Sequence, residues 1–184
     1  MAALQWSDAL ALDLPLMDDT HREFVDLLAA VEAADDAALV AAWQALVEHT
    51  AQHFGQEDAW MAATRFASGN CHAMQHQVVL QVMREGAART ADQGELHVVR
   101  AMAGELALWF PQHAQSMDAA LALHLRRVGF DAATGRVHAP DALPEGLQFL
   151  SPQTLPLLFD FPLDMARVPA DVNRLSNQAL VHTY

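Results

Sequence analysis

Apolar residues recur at helical spacing along the first 130 positions of the chain. In the stretch MDDTHREFVDLLAAVEAA, residues 17–34, Phe24, Leu27, Leu28 and Val31 repeat at intervals of three and four. This period places them on one face of an α-helix, which would bury them against a neighbouring element. The same reading predicts three further helices, at about residues 37–64, 71–89 and 95–128.

Breaks in this pattern predict where the helices begin and end. Pro15 should prevent a helix from running through the N-terminal arm, and the polar residues around Asp18 should cap the first helix. Asp35 or Asp36 should cap the second helix, and Gly129 follows the fourth as a C-terminal stop. Short connections between four helices favour antiparallel neighbours.

The predicted fold class is therefore all-α: an antiparallel up-down-up-down four-helix bundle with an N-terminal arm. Residues 1–130 would form the bundle, and residues 131–184 a C-terminal extension that contains six of the eight prolines. This extension is too apolar for a disordered linker, so we expect it to pack on the bundle or to serve in an interface. A homodimer and a protein partner are both open interpretations of such an interface.

Charge and composition exclude several classes of partner. The formal net charge of -13 disfavours nucleic acid and anionic membrane surfaces, which both attract basic patches. No segment approaches the roughly 20 apolar residues that span a bilayer. The N-terminal segment carries no basic residue, and Cys71 is the single cysteine, so no internal disulfide can form. We expect a cytoplasmic location.

Histidines carry the candidate chemistry, because several of the ten occupy related positions on the predicted helices. Each helix contributes imidazoles or carboxylates, in two cases at i,i+4 spacing, which stacks both side chains on one face. These residues are His21, His53, Glu57, His72, His76, His113 and Asp118. Burying seven such groups without a partner would cost several kcal/mol for each charged one. A bound metal would remove that cost.

The composition of this set indicates the kind of metal site. Five imidazoles and two carboxylates exceed what one ion takes, so two ions bridged by Glu57 and Asp118 are the economical arrangement. Structural zinc prefers a closed site of four ligands, and magnesium or calcium prefer oxygen. Mixed nitrogen and oxygen ligands favour iron, with manganese or zinc as substitutes.

The pair His113 and Asp118 does not fit an ideal helix, since five residues place their side chains about 140° apart. Either the helix widens locally, or the two side chains approach the metals from different flanks. Pro111 is a candidate cause of such a distortion.

These motifs resemble those of the hemerythrin family. The matching stretches are MDDTHREFVDLL, HFGQEDAWM, CHAMQH and LALWFPQHAQSMD, together with the early Trp6, and they cover about residues 1–130. The resemblance implies a non-haem centre of two iron ions (Fe2+/Fe3+), with a bridging oxo or hydroxo group, that binds dioxygen reversibly. By this resemblance His72, His76 and His113 would hold one iron, His21 and His53 the other, and Glu57 and Asp118 would bridge both. Dioxygen would bind at the iron with two histidines.

The neighbours of these residues suggest how a gas pocket is built. Phe54, Trp109 and Phe110 are adjacent to the ligand positions and are the expected pocket walls. Ala114, Pro111 and the extension depart from what the resemblance leads us to expect. His49, one turn before His53, is a candidate to orient a ligand.

Three functions fit such a centre at this stage. The first is oxygen storage, delivery or sensing, without an enzymatic reaction. The second is a di-iron enzyme with peroxidase, oxidase or nitric-oxide-handling activity. The third is an iron reservoir or a purely structural metal bundle.

Overall fold

The helices of the protein pack as a four-helix bundle, as the sequence predicts. The structure is a computed structural model that describes residues 4–66 and 69–139. A 3-10 turn at Asp8–Leu10 is followed by five α-helices and a hairpin. The helices are α1 (Pro15–Ala33), α2 (Leu39–Thr64), α3 (Gly69–Gln93), α4 (Leu96–His113) and α5 (Ala119–Arg127), and the strands are β1 (Phe130–Asp131) and β2 (Arg136–Val137).

Helix α1 begins two residues earlier than the sequence pattern indicates. Pro15 lies in the first turn of α1, where backbone N–H groups have no acceptor within the helix, so proline costs no hydrogen bond there. The Asp18 carboxylate accepts backbone N–H bonds from Leu12 and Leu14, at 2.7 and 3.3 Å, and so satisfies donors that precede the helix. Pro15 therefore separates the N-terminal arm from the helix, as expected, but it is itself the first residue of α1.

The predicted fourth helix is a composite of α4, a π-helical turn at Ala114–Asp118, and α5. The expected local widening between His113 and Asp118 is thus confirmed. Pro111 lies inside α4, three residues before the turn begins.

Two apolar clusters fill the bundle, one on each side of a polar layer. The larger contains Phe24, Trp43 and Val79, and the indole of Trp43 donates a hydrogen bond to the Met83 carbonyl at 3.0 Å. The smaller is built around Met17, Trp60, Met61, Leu121, Leu125 and Phe130. Helices α1 and α4 also contact each other, so that the four long elements close into a ring.

The chain reverses direction after α5 into a short antiparallel hairpin that the helical pattern does not predict. Gly129 has φ +59°, a conformation that favours glycine, and it ends the helix as expected. Phe130 pairs with Val137, and Phe130 packs against Trp60 with ring centroids 6.4 Å apart. The extension from residue 140 onward lies outside the described residues, so the boundary at 130 and the role of 131–184 stay predictions.

Glycines Gly55 and Gly86 differ in what surrounds them. Gly55 lies between His53 and Glu57, where one would expect a close neighbour, but a Cβ added there would meet no atom within 4 Å. A Cβ at Gly86 would instead lie 2.5 Å from the Met102 sulfur. The flexible end of the Met102 side chain thus lies close to Gly86, whereas no such neighbour accounts for Gly55.

Within residues 4–66 and 69–139, no helix combines the length and the apolar character that crossing a bilayer requires.

Candidate metal centre

The seven predicted ligand residues meet in the polar layer between the two apolar clusters. Each is buried, with at most 3% of its surface exposed. Helix α1 contributes one of them, α2 and α3 contribute two each, and α4 with the π-turn contributes the last two: His21, His53, Glu57, His72, His76, His113 and Asp118. All seven side chains are therefore brought together.

These side chains form two overlapping groups whose potential ligand atoms lie within 4.8 Å of one another. The first, called the three-histidine group, contains His72, His76 and His113. The second, called the two-histidine group, contains His21 and His53. Glu57 and Asp118 belong to both groups. This division coincides with the one that the sequence resemblance implies.

The two oxygens of Glu57 face different groups. Oε1 lies 3.1 Å from Nε2 of His53 and 3.8 Å from Nε2 of His21. Oε2 lies 3.4 Å from Nε2 of His76 and 3.6 Å from Nε2 of His72. A carboxylate placed in this way offers one oxygen to each of two cations.

Asp118 has the same arrangement from the opposite side of the centre. Its Oδ2 lies 3.3 Å from Nε2 of His21, in the two-histidine group. Its Oδ1 lies 2.9 Å from Nε2 of His72 and 3.1 Å from Nε2 of His113. The π-turn makes this possible, because it returns position 118 to the face that carries His113.

Two residues that the sequence reading missed contact the outer nitrogens of the three-histidine group. Nδ1 of His76 donates to Oδ1 of Asp58 at 2.9 Å, and Nδ1 of His113 donates to Oε1 of Gln75 at 2.5 Å. A neutral imidazole with Nδ1–H presents a lone pair at Nε2. The Nε2 atoms of His76 and His113 are 3.2 Å apart, so their lone pairs converge as they would on a shared cation.

Several buried polar atoms of the centre have no hydrogen-bond partner among the described residues. They are both nitrogens of His21, Nδ1 of His53, Oε2 of Glu57, Nδ1 of His72 and both oxygens of Asp118. Buried atoms of this kind are rarely left unsatisfied, and a metal with hydrogen-bonded partners is a common explanation. The residues present therefore fit a dinuclear metal group.

Without a metal, protons occupy part of this site. Burial opposes a charged imidazolium at His21, but the nearby carboxylates of Asp118 and Glu57 outweigh it and raise the pKa of His21 to about 9. Burial likewise opposes protonation of His76, but the hydrogen bond to Asp58 and the nearby Glu57 carboxylate raise its pKa to about 9. Two cationic imidazoles would therefore balance the two central carboxylates at neutral pH.

Three other groups of the centre, Glu57, Asp118 and His113, have lowered pKa values. Burial acts to raise the pKa values of Glu57 and Asp118, yet the surrounding histidines hold both well below their usual range. Burial lowers the pKa of His113 despite the nearby Asp118 carboxylate. Both carboxylates are therefore anionic and available to cations at neutral pH.

The three aromatic residues expected as pocket walls contact the imidazoles. Phe54 stacks on His76 with ring centroids 4.0 Å apart and an interplanar angle of 6°. Trp109 stacks on His113 at 4.5 Å, and Phe110 meets His21 edge-on at 5.2 Å. All three rings belong to the larger apolar cluster, so this cluster packs directly against the imidazoles.

A cleft of about 190 Å³ between α1 and α2 approaches the two-histidine group. Its inner wall includes the buried His53 and Glu57, and its mouth includes the exposed Gln52 and Gln56. The cleft gives a small molecule a route toward this half of the centre.

His49 lines the same cleft, but its contacts differ from the expected orienting role. Its Nε2 lies 3.1 Å from the Thr20 carbonyl oxygen, and its Nδ1 lies 3.6 Å from Glu23. Nδ1 of His53 has no hydrogen-bond partner among the described residues. His49 therefore bonds to the backbone beside His21 and not to His53, and the ring centroids of His49 and His53 lie 6.1 Å apart.

A helical bundle that surrounds two imidazole groups with shared carboxylates defines a metal-binding protein of the dinuclear, non-haem kind. Residues 12–123 match the family model described as the hemerythrin HHE cation-binding domain. The bacteriohemerythrin of Ralstonia nicotianae is 40% identical over 132 residues, which are 72% of this chain and 96% of that protein. The chain belongs to the hemerythrin family.

More distant similarities agree in part with this assignment. The bacteriohemerythrin of Pseudomonas aeruginosa is 25% identical over 123 residues, 65% of this chain and 79% of that protein. A polyamine aminopropyltransferase of Leptospira interrogans is 54% identical over 41 residues, 22% of this chain but 8% of that enzyme, a share too small to bear on its activity. No solved structure is significantly similar to the chain.

Proposed function

We propose that the protein binds dioxygen reversibly at a centre of two iron ions, in oxygen storage, delivery or sensing. The observation that carries this proposal is the sharing of Glu57 and Asp118 between two imidazole groups. One oxygen of each carboxylate faces each group, so two cations can be held side by side. Membership of the hemerythrin family supports iron as the metal.

In this proposal the three-histidine group holds one iron and the two-histidine group holds the other. Glu57 and Asp118 would each offer one oxygen to both ions, and an oxo or hydroxo group would complete the centre. Iron at these positions would supply reversible electron transfer to dioxygen. The ligand number differs between the groups, three imidazoles against two, and this leaves the two-histidine group with room for an exogenous ligand.

The cleft between α1 and α2 supports the choice of ligand site. It leads to His53 and Glu57 and not to the three-histidine group. A neutral diatomic molecule can enter it without losing strong hydration, whereas Glu23 at the cleft disfavours anions. The cleft therefore leads to the two-histidine group, which is also the group with fewer imidazoles.

The ligand set supports binding over turnover. Five neutral imidazoles add no charge, so two carboxylates leave the metals with a net positive charge that can hold a reduced, anionic form of the gas. Phe54, Trp109 and Phe110 restrict access of water to the imidazoles, which limits proton delivery and loss of the bound ligand.

Admitting air to the anaerobically reduced, iron-loaded protein tests this function. We expect a visible absorption band that appears with dioxygen and disappears on degassing, over repeated cycles. Immediate conversion to a stable ferric spectrum, with no reversible band, would contradict the proposal and favour the enzyme or iron-reservoir interpretations. The cytoplasm is the proposed location, because a single cysteine suits a reducing compartment.

A further inference from the structure

The Nδ1 atoms of the two imidazole groups differ in how many have hydrogen-bond partners. In the three-histidine group, Asp58 holds Nδ1 of His76 and Gln75 holds Nδ1 of His113. In the two-histidine group, neither His21 nor His53 has a hydrogen-bond partner for Nδ1 among the described residues. Hydrogen bonds at Nδ1 therefore anchor two of the three rings in the three-histidine group. They anchor neither ring of the two-histidine group.

An acceptor at Nδ1 prepares an imidazole for a metal. It fixes the tautomer, so that Nε2 carries the lone pair, and it restricts rotation of the ring. The Asp58 carboxylate adds negative charge, which makes His76 a more basic ligand. Gln75 supplies the same orientation to His113 without a charge. Both contacts bridge separate elements, since Asp58 lies on α2 and Gln75 on α3.

Stacking strengthens the same asymmetry. Phe54 lies parallel to His76, and Trp109 lies within 26° of parallel to His113. Each of these two rings is thus held by an aromatic face and by a hydrogen bond. His21 meets Phe110 only edge-on, and His53 borders the cleft.

We propose that Asp58 and Gln75 are positioning residues that preorganise the three-histidine group, so that the metal position of this group fills first and holds its ion more tightly. The two-histidine position fills second and is the exchangeable one. This inference rests on the proposed ligand roles of the seven residues.

Anaerobic titration of the metal-free full-length protein with Co2+ tests the order of filling. The visible bands of Co2+ report its coordination, and a competing chelator gives each association constant. We expect two equivalents to bind in two separate steps. A His53→Ala variant should keep the first step and lose the second, whereas His113→Ala should lose the tight first step.

Variants of Asp58 and Gln75 test whether these residues strengthen metal binding at the three-histidine group. We expect Asp58→Ala and Gln75→Leu each to weaken the first step by about 10–100-fold, the usual effect of removing a partner behind a ligating histidine. Asp58→Asn keeps an acceptor and should lose less. Glu48→Gln on α2 and Gln77→Leu on α3 are matched controls at exposed positions, and they should leave both steps unchanged.

Each outcome separates this inference from the proposed function. Two equal steps in the unmodified protein, or a first step that Asp58→Ala and Gln75→Leu leave within about twofold of the controls, would overturn the inference. Failure to bind any Co2+ would overturn the ligand assignment itself. Circular dichroism of each metal-free variant identifies any that fails to fold, and Asp58→Asn, at a side chain 37% exposed, then carries the test.

Discussion

Nε2 of His113 lies 3.1 Å from Oδ1 of Asp118, although the two residues are five positions apart on one helical element. A regular α-helix would place them about 140° apart. The π-turn at Ala114–Asp118 contains one residue more per turn and brings both side chains to the same face. The geometry is that of a single-residue insertion into an α-helix.

Deleting Ser116 should therefore preserve the metal site. The deletion converts the π-turn into an α-turn, in which His113 and Asp118 become i,i+4 neighbours, the spacing that joins His53 and Glu57 at 3.1 Å. We expect the variant to bind two equivalents of iron, measured by mass spectrometry of the reconstituted protein.

Deletion of the exposed Leu108 from the regular part of α4 is the control for this experiment. It rotates one part of the element by about 100° relative to the other, so it should abolish metal binding. Equal loss of iron in both deletions would contradict the interpretation of the π-turn as an insertion.

Replacement of Gly55 by alanine should stabilise the protein. No atom lies within 4 Å of the added Cβ, and alanine favours the interior of a helix over glycine by about 1 kcal/mol. For a chain of this length, the melting temperature should rise by about 2–4 °C.

Gly86→Ala is the matched control on α3, since its Cβ would press on the Met102 sulfur. The flexible end of the Met102 side chain must move to admit this Cβ, and that movement offsets part of the gain in helix propensity. We therefore expect Gly86→Ala to raise the melting temperature less than Gly55→Ala does. A loss of stability in Gly55→Ala would show that the space beside Gly55 is used.

The metal-free protein should lose stability as the pH rises above neutrality. The pKa of His21 is raised from its ordinary value of 6.5 to about 9, and that of His76 likewise. The folded state binds these protons more tightly than the unfolded state, so their contribution is complete below pH 6.5 and is lost as the pH passes through about 9.

Thermal melts of the metal-free protein between pH 6 and 10 measure this effect. We expect the melting temperature to fall across pH 6.5–9 in the metal-free protein and to change less in the iron-loaded protein, where metals replace the protons. A metal-free melting temperature that rises over this interval would refute the account of the empty centre.

A bulky side chain at the cleft should slow entry of ligands. Gln56 is exposed and lines the cleft between α1 and α2. We expect Gln56→Trp to reduce the association rate of dioxygen in stopped-flow absorption measurements, with iron content unchanged. Gln81→Trp, at an exposed position of α3, is the control and should leave the rate unaltered. An equal rate in both variants would exclude this cleft as the main route.

Sequence periodicity was sufficient to predict the bundle and to bring the seven ligand positions together. The reason is that i,i+4 spacing fixes which side chains share a helical face, as it does for His53 and Glu57. The spacing of His113 and Asp118 even indicated a distortion, because two ligands of one centre must share a face.

Contacts between helices were not predictable in the same way. Asp58 and Gln75 reach His76 and His113 across helix boundaries, and this depends on the rotation and offset of neighbouring helices, which no local spacing encodes. Pro15 was placed outside α1, although its missing N–H suits the first turn. The two-residue strands of the hairpin are too short to show an alternating pattern.

The polar centre interrupts the hydrophobic interior of the bundle. Helices α1 and α2 and the α4–α5 element each place residues of the larger cluster on one side of their ligand residues and residues of the smaller cluster on the other. Bound metals would join these two halves into one cooperative unit. Loss of the metals should uncouple them, so that amide hydrogens around Trp43 and around Trp60 exchange at independent rates while the chain remains largely helical.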